Sequence, residues 1–288
     1  MSEMLRRALV EPRVRVGAVI TLFVLAVAVF APLLAPHDPT EQDLVNTLLP
    51  PMWQDGGDPS FVLGTDSLGR DILSRLIYGA RVAMTVAVVA AFGAALLGSA
   101  FALIAGYFGG VVDWLICRAV DVWMSFPPVI LSLILMVGLG TGLRNVILAI
   151  VIVDWTRFCR VVRSEVLAVM KRDYIPAARL VGFSHTRVIL REVLPAVTPL
   201  LLTLLSIEMG IAVIVEAILS FVGLSVEADL PAWGVMIADA RGYMYEAAWG
   251  LVVPVLGIFI TVLGTNVLGD GLRRSLDPRL AQRLAAVR

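Results

Sequence analysis

The sequence predicts an all-α polytopic membrane protein with six transmembrane helices, and three observations carry that expectation. Hydrophobic residues make up 59% of the 288, and mean hydropathy is +0.90, whereas a soluble globular domain is apolar over roughly half its residues. Six apolar runs recur, at Val16 to Leu34, Val82 to Ala105, Ala119 to Val137, Leu143 to Trp155, Ala196 to Val222 and Trp249 to Leu268; a crossing helix needs roughly 20 such residues. The arginines cluster in alternate connecting segments, as they do in the cytoplasmic loops of inserted proteins.

The first run follows Arg6, Arg7, Arg13 and Arg15 and contains Ala26-Val27-Ala28, a pattern shared with signal-peptide cleavage sites. It continues past that site to Leu34, longer than the 7–15 apolar residues of a typical signal peptide, and is read as a retained helix. The segment at about 36–79 holds Pro39, Pro50, Pro51, Gly56, Gly57 and Pro59 and is expected to be a mostly irregular loop. Between the third and fourth runs, Gly138, Gly140, Thr141 and Gly142 break the helical pattern and permit a tight hairpin. The fourth run has the shortest apolar core, Val146 to Val153, closed by Asp154 and Arg157. Trp53, Trp233, Tyr243, Tyr245 and Trp249 fall where an outer aromatic belt is expected, or where rings could stack on a solute.

Charge sets orientation. Four basic residues precede the first run, eight lie between Arg157 and Pro195, and five follow Leu268, 17 of the 23 in the chain. The 36–79 loop carries seven acidic residues against Arg70 and Arg75. Positive charge is retained inside during insertion, so both termini are expected in the cytoplasm. This gives an amino-terminal tail over 1–15 and one membrane domain over 16–288. Within it lie the outer loop, a cytoplasmic loop at about 157–195 and a cytoplasmic tail at about 270–288. Acidic and basic residues balance at 23 each, so no charge excess points to nucleic acid.

Several chemistries are excluded. Cys117 and Cys159 form no close pair, and His37 and His185 are the only histidines, so neither a disulfide framework nor a metal cluster is expected. Gly182-Phe183-Ser184-His185 lacks the closing glycine of a nucleophile elbow. No G-x-x-x-x-G-K-[ST] run exists, and the only lysine, Lys171, follows Met170. The chain is therefore expected to be no enzyme and to hold no cofactor, with any ATP hydrolysis on separate subunits.

A charge near the bilayer centre costs about 2.5–3.5 kcal/mol on insertion scales. Glu208 and Glu216 in the fifth run are the clearest cases, and their eight-residue spacing sets them roughly 80° apart on a helix. They either line or gate a solute path or hydrogen-bond between helices. Asp113, Arg118 and Asp121 are expected to form local pairs at helical spacing, and Asp154 with Arg157 likewise.

The segment between the fourth and fifth runs reads Asp173-Tyr174-Ile175-Pro176-Ala177-Ala178-Arg179-Leu180-Val181-Gly182, and ends at Leu194-Pro195. A short helix carrying only methyl groups at Ala177 and Ala178 can seat closely in a partner's groove, and Gly182 permits a sharp turn after it. Pro195 suits the first turn of the next helix, where a missing N–H costs little. This segment resembles the EAA loop of ABC importer permeases, with Ala177-Ala178, Gly182 and Leu194-Pro195 in matching places. Ile175-Pro176 replaces that family's leading glutamate, and Glu192 and Ala196 also depart from its pattern. Leu63-Gly64-Thr65-Asp66-Ser67-Leu68-Gly69-Arg70-Asp71 is similar to the signature before the second span of the dipeptide, oligopeptide and nickel permeases. Leu219 to Leu224, Trp233-Gly234, and Asn266 to Arg273 with Leu276-Asp277-Pro278-Arg279 resemble the same family, although Glu227-Ala228-Asp229-Leu230-Pro231 replaces its Pro-rich approach to Trp-Gly.

The resemblance implies a type I importer bundle that pairs with a second, homologous permease. It implies two cytoplasmic ATP-binding subunits, an extracytoplasmic solute-binding protein, a surrounding lipid bilayer, and uptake of dipeptides, oligopeptides or a related small solute. Asp173, Tyr174, Ala177, Ala178, Arg179, Gly182, Leu194 and Pro195 would couple to the ATPase. Gly64, Thr65, Asp66, Gly69, Arg70 and Asp71 would carry the outer-loop motif. A self-sufficient secondary transporter or channel is the competing class, but no internal repeat announces one.

Overall fold

The computed structural model describes residues 10–226 and 230–276. The Glu227 to Asp229 part of the approach to Trp233, the first nine residues of the tail, and Asp277 onward in the carboxyl-terminal motif lie outside the described residues. Helices dominate, and among the described residues only an isolated bridge between Thr65 and Asp71 is extended pairing.

Helix α1 (Pro12–Val29) opens on a proline and stops at Phe30, and α2 (Ala31–Leu34) continues as a separate turn. The expected first span is thus interrupted, because Pro32 has no N–H to extend the α1 ladder. Helix α3 (Ile72–Phe108) has 37 residues, about 55 Å at 1.5 Å per residue, well beyond a hydrocarbon core of about 30 Å. It begins ten residues before the expected span, so the outer loop ends at Asp71 and Gly79 is helical. Hydropathy missed the first turns because Ser74, Arg75 and Arg81 lie in them. Asp71 caps the helix by accepting from the Ser74 amide at 2.8 Å, and Gly109 at φ +64° ends it.

Helices α4 (Gly110–Met124) and α5 (Pro128–Leu139) correct the expected third span: they form a pair bent by 87°. Pro127 and Pro128 remove consecutive donors, and a residue before proline is forced toward an extended backbone. A turn with Gly140 and Gly142 at positive φ then leads into α6 (Leu143–Val169), so the chain reverses where the glycine cluster predicts.

After α6 come α7 (Tyr174–Leu180), α8 (His185–Val188), a π-helical turn (Ile189–Val193) and α9 (Leu194–Phe221). Pro195 is the second residue of α9, in its first turn as the sequence suggests, although α8, the π-turn and α9 together make one 37-residue apolar helical run over 185–221. The π-turn immediately before Pro195 realigns the ladder around the missing donor. An unexpected short helix, α10 (Trp233–Ala240), precedes α11 (Trp249–Leu276).

Among the described residues, four helical segments, 12–29, 72–108, 185–221 and 249–275, are long and apolar enough to cross a bilayer, and the bent pair, counted as one span, raises the number to five. Helix α6 has the length but also carries Arg144, Asp154, Arg157, Arg160, Arg163 and Glu165. Small residues set the packing. A Cβ on Gly93, Gly98 or Gly106 of α3 would run into Val151, Trp155 and Phe158, or Val166 of α6, so these helices approach at backbone distance. Gly17 and Gly264 do the same for α1 against α11.

Candidate functional site

Helix α7 is anchored on its inner face. Ile175 is buried among Val162, Val166 and Val169 of α6 and Val188 of α8, and Ala178 packs on the same cluster. The opposite edge is bare: Ala177 is exposed, as are Leu180 at 89% and Val181 at 76%. Asp173 occupies the N-cap position without a capping hydrogen bond, and Tyr174 is exposed. Gly182 has φ +90° and nothing within 4 Å of a Cβ added to it, so the backbone conformation alone demands glycine there. Leu194 is half-buried on the core cluster, while Pro195 is exposed.

An aromatic clasp ties this segment to the end of α3. The Arg179 guanidinium sits 4.9 Å over the Tyr107 ring, and Tyr107 Oη lies 2.7 Å from His185 Nδ1. His185 is therefore part of a specific contact, and its partner is too distant in sequence to be read locally.

The outer-loop motif is a folded hub. Gly64 and Gly69 have φ +79° and +72°, and a Cβ on Gly69 would collide with the Asp43 carbonyl. Thr65 Oγ1 donates to the Asn46 carbonyl at 2.6 Å and accepts from the Leu49 amide at 2.9 Å. Asp66 accepts from Arg70 Nε at 2.7 Å, and Arg70 Nη2 donates to Asp239 of α10 at 2.9 Å. Arg75 approaches both carboxylates at 3.6 Å. Asp38, Asp43 and Asp58 close turns in the same loop. Hydrogen bonds from Thr40, from Asn46 and from Ser60 respectively hold their carboxyls below the usual aspartate range. Asp239 escaped sequence reading, since it stands 169 residues from Arg70.

Glu208 and Glu216 are both 1% exposed and both hydrogen-bonded. Glu208 Oε2 accepts from Arg157 Nη1 of α6 at 2.9 Å, and Arg157 also reaches Asp154 at 3.4 Å. Glu216 Oε1 accepts from Ser220 at 2.5 Å and Ser225 at 3.2 Å. Glu208 thus bonds between helices, whereas the bonds of Glu216 stay within α9 and the turn that follows it. The expected local pairing of Asp113 and Asp121 is corrected: Asp113 pairs with Arg163, and Asp121 with Arg160 at 2.5 Å, both across to α6. Arg118 instead lies 5.7 Å from the Trp114 ring centroid. Trp233 is likewise no belt residue, being buried with its Nε1 donating to the Leu76 carbonyl at 3.0 Å.

Residues 98–282 match the family described as binding-protein-dependent transport system inner membrane component, and residues 1–51 match the amino-terminal membrane domain of oligopeptide transport permease C. The chain belongs to this permease family. Among its relatives, the dipeptide transport system permease protein of Haemophilus influenzae is 36% identical over 93% of this chain and 90% of that one. The nickel transport system permease protein of Escherichia coli K12 is 39% identical over 93% and 94%, and the di/tripeptide permease protein of Pseudomonas aeruginosa 38% over 92% and 87%. A crystal structure described as an amino acid ABC transporter with histidines aligns at TM-score 0.55 over 70% of this chain and 94% of that one. At 16% identity it supports the helical permease fold alone. The protein is thus a multi-pass permease subunit of the inner membrane, a transport component whose family role is not enzymatic.

Proposed function

We propose that this permease forms half of an ATP-driven importer for short peptides or a chemically similar small solute. It would pair with a second permease and be served by two cytoplasmic ATP-binding subunits and an extracytoplasmic binding protein. The observation that carries the proposal is the bare apolar edge of α7, Ala177, Leu180 and Val181, held out from the bundle by Ile175 and ended by Gly182. An apolar patch on a basic loop, away from the bilayer, fits a groove in a soluble partner. ATP-driven closure of that partner would push α7, and α7 moves with α6 and α8 because Ile175 is packed between them. The relatives named for dipeptide and di/tripeptide transport favour a peptide cargo.

In this reading the chain crosses six times, through α1, α3, the α4–α5 pair, α6, α9 and α11, as a single membrane domain over 16–288 with both termini inside. Helix α6 tolerates its charges by neutralising them against neighbours: Arg160 and Arg163 on α4, and Arg157 on α9. No cofactor is assigned to this chain. The test is reconstitution of the coexpressed subunits in liposomes, with the binding protein added outside and uptake of a labelled dipeptide measured. ATP-dependent uptake that disappears with Ala177→Trp, while the permease pair still assembles, supports the proposal. Uptake by this chain alone, without ATP, would refute it.

A further inference from the structure

The break between α4 and α5 lies deep in the membrane. Trp123, one residue before the end of α4, donates through Nε1 to the Ile152 carbonyl of α6 at 2.7 Å. The adjacent Val151 fills the space beside Gly93 of α3. At 1.5 Å per residue Gly93 is about 31 Å from the outer end of α3 and about 22 Å from its inner end, so a hydrocarbon core of about 30 Å that leaves both ends in water includes this level.

Backbone is left open there. Every residue from Met124 to Pro128 is exposed. Pro127 and Pro128 have no N–H to offer the preceding turn, and among the described residues nothing donates to the carbonyls of Met124, Ser125 or Phe126. Lipid tails cannot satisfy such groups. Irregular backbone is tolerated at this depth only where protein covers it or where it borders a water-filled cavity.

The surface of α4 below the break favours water. At 100° per residue Arg118, Asp121 and Ser125 fall within about 60° of arc, and all three are exposed. Val112, Leu115 and Ala119 form a second exposed sector, wholly apolar and centred about 120° away, which suits lipid. In the polar sector Asp121 bonds Arg160 of α6, yet the two side chains remain 50% and 52% exposed. Among the described residues that is the one hydrogen bond either side chain makes. Sealing so incompletely bonded a pair in a dry interface carries a desolvation penalty, whereas water completes its hydrogen bonds.

We infer that the Arg118, Asp121 and Ser125 sector of α4 borders a water-filled solute path. The path reaches the α4–α5 break, where the carbonyls of Met124, Ser125 and Phe126 offer acceptors to the N–H or O–H groups of a passing solute. The inference rests on the importer reading for its solute and for the second permease that would wall the path opposite α4.

The test reads water first and transport second. In the assembled complex, Ser125→Cys is compared with Ala119→Cys on the apolar sector, and the unsubstituted chain reports any background from Cys117 and Cys159. Methanethiosulfonates bearing trimethylammonium or sulfonate are applied from the cytoplasmic face of inside-out vesicles. A thiol reacts as its thiolate, which forms in water and not in lipid, so Ser125→Cys should react about tenfold faster than Ala119→Cys with both reagents. Depth alone predicts the reverse order, because Ala119 is six residues nearer the inner end of α4. If Ser125→Cys fails to assemble, Arg118→Cys supplies the same comparison. Ser125→Trp should then lower dipeptide uptake about tenfold with assembly and ATPase association intact, while Ala119→Trp stays within about twofold of the unsubstituted complex. Equal thiol rates in the two sectors, or full uptake by Ser125→Trp, would overturn the inference. ATP-driven uptake by the unsubstituted complex is measured in parallel. Its absence refutes the importer reading whatever the thiol rates, and equal rates refute the path assignment whatever the uptake.

Discussion

Arg157 of α6 donates through Nη1 to Glu208 Oε2 of α9 at 2.9 Å, and its other terminal nitrogen stands 3.4 Å from Asp154. One guanidinium thus serves two carboxylates that are almost wholly buried, and it joins two helices that are 51 residues apart at this contact. Removing one partner of a buried pair commonly costs about 3–5 kcal/mol because the other charge is stranded. Arg157 is 36% exposed, so solvent screening lowers the expected cost of Arg157→Ala to about 2–3 kcal/mol. Arg157→Ala with Glu208→Gln should recover part of that loss. Thermal unfolding of the purified chain in detergent, carried through the double-mutant cycle, measures the coupling; additive effects would show that the pair contributes nothing to α6–α9 packing.

Glu216 is predicted to act by shape and hydrogen bonding. Its Oε1 accepts from two serines, an acceptor that glutamine retains, so Glu216→Gln should assemble normally and transport within about twofold of wild type. Glu216→Leu leaves both hydroxyls without their acceptor at a cost of about 1–3 kcal/mol. Its complex should be less stable to heat, and the 222–226 turn more accessible to protease. A large uptake defect in Glu216→Gln with full assembly would instead place this carboxylate on the solute path.

Gly182 separates backbone strain from lost contacts, since φ is +90° and a Cβ meets nothing. Gly182→Val should lose ATPase association and uptake, because a β-branched residue strongly disfavours that conformation. Gly182→Asn should retain much more, as asparagine visits positive φ more readily. Copurification of the ATPase at matched membrane expression distinguishes them, and equal behaviour of the two variants would rule out the turn as the cause.

Gly69 gives the contrasting case, in which φ is +72° and the Asp43 carbonyl fills the space a side chain would need. Gly69→Ala should disrupt the outer-loop hub, with strain of about 1–3 kcal/mol from the backbone before the collision is added. The expected result is faster proteolysis within 38–70 in intact right-side-out vesicles. An unchanged cleavage pattern would show that the hub does not depend on this approach.

Topology has its own test. A reporter fused after Asp58 should register outside the cytoplasm, and fusions at Thr186 or Arg288 inside it. Cytoplasmic signal at Asp58 would invert the six-crossing arrangement.

Composition and period suffice for the membrane class, because an apolar run of sufficient length is a local property and water rejects it wherever the chain places it. Local stereochemistry likewise made Gly182, the Gly138 to Gly142 turn and the short helix around Ala177 readable, since each depends on a few adjacent residues. The prolines at 127 and 128 carried their signal in plain view, but hydropathy passed over them because Pro is compatible with a long apolar average. Relationships across the chain were beyond such reading. Arg70 with Asp239, Arg157 with Glu208, Arg163 with Asp113, and Tyr107 with His185 are separated by 50 to 169 residues. Nothing in one segment specifies which distant charge will meet it; close packing of α3, α6 and α9 does. The same packing turned an outer-loop signature into a hub bonded to α10.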